Sequence, residues 1–124
     1  MNGQGVIALA FLLAVVSQAQ GQGRGVPGGL SEQQMAGPGE QALVAKSRKE
    51  IIRRLPSWFD RPVGPFKALT YRTQTVAGTN YFIKVKIQEP RPRFIHVRIY
   101  ATLNNRSKVA GVKVARQYDP ILYF

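Results

Sequence analysis

Side chains able to do covalent or acid–base chemistry are few in this chain. His96 is the only histidine, and there is no cysteine. Histidine alone has an ordinary pKa that permits proton exchange near neutral pH, so His96 is the one candidate proton shuttle, and no second metal ligand stands at a recognisable spacing from it. The lack of cysteine removes disulfides, thiolate metal sites and a cysteine nucleophile together. Serine, histidine and aspartate all occur, but no spacing singles out a triad. The chain is therefore expected to be no enzyme and to need no cofactor or metal. Binding is the alternative, and three constellations could carry it. Phe94, His96, Arg98 and Tyr100 alternate along one run, as aromatic and basic groups do where bases stack. Lys46, Arg48, Lys49, Arg53 and Arg54 could lie on an anionic membrane. Gln74-Thr75-Val76-Ala77-Gly78 offers a small apolar turn able to enter a narrow cleft, with Gly78 free to take φ > 0 and Gln74 able to hold the turn through its amide.

The elements that must position these groups follow from periodicity. Leu43, Val44, Ser47, Ile51, Ile52 and Leu55 recur at spacings of three, four and seven, which predicts an amphipathic helix over 40–55. It stops at Pro56, because the residue before proline is pushed out of the α region and proline has no N–H. Trp58, Phe59, Pro62, Gly64 and Pro65 read as a loop with bulky anchors. Period-two runs then predict strands at 66–73, 79–88, 94–102 and 112–118, joined through Ala77-Gly78, Glu89-Pro90-Arg91-Pro92 and Asn104-Asn105-Arg106-Ser107. One helix followed by consecutive strands implies an α+β fold, an antiparallel meander with its apolar face covered by the helix. On that reading the Phe94–Tyr100 alternation is the wet face of the sheet and the helical cations are the outer face of its cover. No nucleic-acid partner is expected.

The N-terminal third is organised differently. Val6 to Val16 is an unbroken apolar run, too short for the roughly 20 residues that span a bilayer but suited to a signal-peptide core, with small residues following at Ser17 and Ala19. Removal of residues 1–19 and secretion are expected. Residues 20–39, rich in Gly, Gln and Pro, read as a flexible arm without packed elements, and 40–124 as the domain. The formal charge of +12, from 18 basic and 6 acidic residues, favours acidic proteins or anionic surfaces as partners.

The run from Gln74 to Gly78, continuing as Thr79-Asn80-Tyr81-Phe82-Ile83-Lys84-Val85, resembles the Gln-x-Val-x-Gly hairpin of the cystatins and specifically that of the stefins. The context strengthens the match. Val26-Pro27-Gly28-Gly29-Leu30-Ser31-Glu32 is similar to a mature stefin start, the helix lies between arm and hairpin as in that family, and Leu122-Tyr123-Phe124 is similar to a stefin end. The resemblance covers about residues 26–124. It implies a monomeric, reversible, competitive inhibitor of papain-like cysteine proteases (cathepsins) that blocks the active-site cleft with three parts: a trunk containing Gly28 and Gly29, the Gln74, Thr75, Val76, Ala77, Gly78 hairpin, and a second tip at Leu103 and Asn104. Asn104 departs from the family's Leu-Pro, and the stretch after it is shorter. A signal peptide also departs from the stefin pattern. The alternative compatible with the charge is a secreted cationic antimicrobial, or a membrane- or glycan-binding protein, on a cystatin scaffold.

Overall fold

The computed structural model describes residues 29–124. The expected signal segment and residues 20–28 of the arm, Gly28 among them, lie outside the described residues. The chain divides after Ser31, and the architecture that follows is that of residues 32–124. Five antiparallel strands lie in sequence order across one sheet: β1 (Gln34–Met35), β2 (Phe66–Val76), β3 (Gly78–Ile87), β4 (Arg93–Ala101) and β5 (Ser107–Ala115). Two helices, α1 (Pro38–Lys46) and α2 (Arg48–Arg54), stand between β1 and β2.

The helical region begins with Pro38, whose fixed φ suits a first turn, and the Glu40 carboxylate accepts the Gly37 N–H at 2.8 Å. Instead of the single helix expected over 40–55, there are two. Ser47 is buried with φ −95° and ψ 3°, ending α1 and serving as N-cap of α2. Its N–H is shared between the carbonyls of Leu43 and Val44, and its own carbonyl accepts from Ile51 N–H at 2.9 Å, so the apolar stripe continues through the break. Leu55 is extended before Pro56, as the proline demands.

The stripe packs where the pattern placed it. Val44 and Ile51 are fully buried against Ile83, Val85 and Ile87 of β3 and Ile95, Val97 and Ile99 of β4, with Leu43, Ile52 and Leu55 at the margin. The Gln41 side chain closes the helix–sheet joint, accepting from Ala68 N–H at 2.8 Å and donating to Phe66 O at 2.9 Å. Of the two loop aromatics expected to anchor, only Phe59 is buried, and Trp58 is 72% exposed.

Three further expectations change. β1 and the start of α1 lie inside the stretch read as a featureless arm; β1 is held by the pairings Gln34 with Tyr71 and Met35 with Thr70 and by Ala36 N–H to Leu69 O. The last strand runs over 107–115, not 112–118. The second sheet face is not left wet, because residues 116–124 fold across it. Lys84 donates to the carbonyls of Gln117 and Asp119 at 2.7 and 2.6 Å, Arg72 donates to Ile121 O at 2.6 Å, and Phe82 meets the rings of Tyr123 and Phe124. Ile121 and His96 are buried as a result.

Candidate functional site

The β2–β3 pairing continues through Gln74 with Asn80 and Thr75 with Thr79 to Val76 with Gly78, so Ala77 alone forms the tip. Gly78 has φ +107°, a region that L side chains rarely adopt. A Cβ there would stand 2.5 Å from the Ala101 carbonyl oxygen and 3.0 Å from the Tyr100 hydroxyl. Conformation and space thus both require glycine. The Tyr100 hydroxyl donates to the Ala77 carbonyl, tying the tip to β4. Gln74 acts across the hairpin, its Oε1 accepting from Asn80 Nδ2 at 2.9 Å. With backbone and flanks fixed in this way, Thr75, Val76 and Ala77 are left facing solvent, Val76 at 45% exposure.

The β4–β5 connection stands at the same end of the sheet, since Thr79 pairs with Ala101 at the base of both turns. Thr102 organises it. Its N–H donates to Arg106 O at 2.7 Å, its hydroxyl donates to Asn104 Oδ1 at 2.6 Å, and it accepts from Arg106 N–H at 3.0 Å. Asn105 takes the left-handed turn conformation, φ 66°, which asparagine tolerates. Leu103 is 85% exposed. Asn104 therefore maintains the loop, and Leu103 is the group the loop presents.

Of the predicted trunk, Gly28 lies outside the described residues and Gly29 is half-buried. Because β1 runs antiparallel to β2, Glu32 and Gln33 ahead of it head toward the end of the sheet that carries both tips. The expected residues 74–78 and 103–104 are brought together. Asn80, Tyr100 and Ala101, which lock them, were not singled out from the sequence for that role; strand alternation fixed the face of Tyr100, but only the cross-strand register places its hydroxyl on Ala77.

Chemically the site has little beyond shape. Arg106 is the single ionisable side chain in the two tips. His96, the one candidate proton shuttle, is buried in the middle of the sheet, where burial and then the Lys84 charge push its pKa down to about 4, leaving it neutral near pH 7. Among the described residues no group of three His, Cys, Asp or Glu could hold a metal. Such an end offers a shape that can occupy a cleft.

Comparison with known proteins agrees with this reading. The family model described as "Cystatin domain" matches residues 63–113, which include both tips. Human Cystatin-A is 31% identical over 97 residues, 76% of this chain and 93% of that protein. Bovine Cystatin-B is 34% identical over 101 residues, 78% of this chain and 97% of that protein. Leukocyte cysteine proteinase inhibitor 1 of Sus scrofa is 30% identical over 95 residues, 74% of this chain and 86% of that protein. The chain belongs to the cystatin family, and within it to the stefin type. Cysteine protease inhibition is its function at the level of that family, and the chain is an inhibitor and not an enzyme.

Proposed function

We propose that the protein is a reversible, competitive inhibitor of papain-like cysteine proteases of the cathepsin type, entering the active-site cleft as a monomer with its trunk at Gly28 and Gly29, the Gln74–Gly78 tip and the Leu103–Asn104 tip. The observation that carries this is the first tip: a glycine with φ +107° and a carbonyl held by Tyr100 leave Thr75, Val76 and Ala77 as a rigid, small-surfaced edge beside exposed Leu103. An edge already fixed before binding loses little further freedom when it docks, which favours affinity. The inhibitor contributes no nucleophile, and a wedge on both sides of the catalytic cysteine does not present a peptide carbonyl for attack. Titration of papain at several substrate concentrations should show a rising apparent KM at constant kcat, with the inhibitor recovered intact. Cleaved or covalently trapped inhibitor, or no inhibition at micromolar concentrations, would sink the mechanism.

We further propose that the protein is exported, which the apolar run Val6–Val16 and the small residues at Ser17 and Ala19 support. Mass spectrometry of expressing cells should find in the medium a form lacking about the first 19 residues. Intact Met1 in the cytosol would refute secretion and leave the inhibitory mechanism standing.

A further inference from the structure

At the end of the sheet away from the tips, where the β3–β4 turn and the end of β5 meet the loop after α2, a cavity of about 360 Å3 opens. Trp58, Phe59 and Phe94 supply aromatic wall, and Arg91, Arg93 and Arg116 supply positive charge. The two loop aromatics divide their work. Phe59 is buried in the core, whereas Trp58, tilted against it at 6.1 Å between centroids, is 72% exposed and contributes no comparable burial. Large aromatic rings beside arginine are what the energetic centres of binding sites favour.

The arginines also differ in commitment. Arg93 lies 3.7 Å over the Phe59 ring and donates to Asp60 O at 3.0 Å, while its Nε is buried without a hydrogen-bond partner among the described residues. Arg91 reaches the Asp60 carboxylate only at 3.5 Å with its side chain 73% exposed, and Arg116 reaches Asp119 only at 4.0 Å with 92% exposed. Exposed, long ion pairs of this kind hold little. Asp60 is the one carboxylate in the lining, against three guanidinium groups. The volume falls at the low end of the roughly 300–1,000 Å3 of small-ligand sites, matching a single ring and its substituent. Apolar walls select the ring, and guanidinium groups select a tetrahedral oxyanion that can accept two parallel hydrogen bonds.

We propose that this cavity binds an aromatic ring bearing a phosphate or sulfate ester, as on an esterified tyrosine of a partner, at a site separate from the protease-facing tips. The site uses no residue of the tips, so it stands or falls apart from the inhibitory mechanism.

Trp58 is the only tryptophan, so its fluorescence reports on this cavity alone. The full protein would be titrated with phenyl phosphate, phenyl sulfate, inorganic phosphate and phenol. A saturable emission change is expected with at least one aryl ester in the millimolar range or tighter, about tenfold weaker with either fragment, and the tighter ester identifies the substituent. The double variant Arg91→Gln/Arg116→Gln should bind that ester about tenfold more weakly while keeping its circular dichroism and its action on papain. No saturable change, inorganic phosphate or phenol binding as well as the ester, or undiminished binding by a folded double variant would overturn the proposal. So would a sulfated polysaccharide displacing the ester equally well in both proteins, since that response needs only diffuse positive charge.

Discussion

Gly78 joins two roles that a sequence motif displays as one. Its φ of +107° closes the first hairpin, and its missing Cβ leaves room for the Ala101 carbonyl, at the base of the second hairpin. A side chain here would strain the turn and also push the two tips apart. Gly78→Val should cost on the order of 1–3 kcal/mol in backbone strain, with the 2.5 Å approach to Ala101 O adding to it. Affinity for papain should fall at least about tenfold. Inhibition constants for the wild type and variant, with circular dichroism to show that the sheet persists, check this; an unchanged constant in a folded Gly78→Val protein would mean that the first tip does not touch the enzyme. The motif made the need for glycine legible. The Tyr100 hydroxyl on Ala77 was not, because Tyr100 lies 23 residues away in sequence and meets the tip only through the β3–β4 register.

Individual elements were readable in proportion to how locally they are determined. β3 and β4 follow from alternation alone: Ile83 pairs with Val97 and Val85 with Ile95, and Ile87 and Ile99 are buried with them. β1 has two residues, too few for any period, and exists because β2 offers Tyr71 and Thr70 as partners. The break at Ser47 hides within an apolar stripe that continues on both sides of it. The same locality argument ranks the binding elements. Asn104 turns its carboxamide oxygen toward Thr102, so Asn104→Ala removes a loop contact and leaves in place exposed Leu103, the group proposed above to meet the enzyme. Truncation before Leu30 removes a whole binding segment on the mechanism proposed above. Dissociation from one cathepsin should accelerate more for the truncated form than for Asn104→Ala, with association rates changing less than dissociation rates. If Asn104→Ala proves more damaging than either the truncation or Gly78→Val, the second tip, and not the first, dominates the wedge.

At the scale of the whole molecule, covering the second sheet face creates a dependence on pH. His96 sits in register between Lys84 on β3 and Lys113 on β5, with Asp119 of the C-terminal segment the acid that faces it. Burial, then Lys84, lowers its pKa from 6.5 to about 4; Lys113 acts in the same direction, and only Asp119 opposes. The Asp119 carboxyl is itself held below its ordinary value, chiefly by the Arg116 N–H bonded to it. Both shifts have one sign. An unfolded chain takes up a proton on His96 as pH falls through 6.5, while the native state resists until about 4, so this contribution to stability is complete above pH 6.5 and is lost between those values. The loss should be on the order of 3 kcal/mol, with Asp119 adding to it only in stronger acid. Protonation would also set a second cation beside Lys84, whose ammonium holds the carbonyls of Gln117 and Asp119, so the C-terminal segment should loosen first. Urea midpoints measured from pH 7 down to pH 4 should fall for the wild type, and the fall should flatten in His96→Phe, which keeps the bulk and removes the titrating group. Equal slopes in the two proteins would assign the acid sensitivity to carboxylates elsewhere and remove His96 from the account.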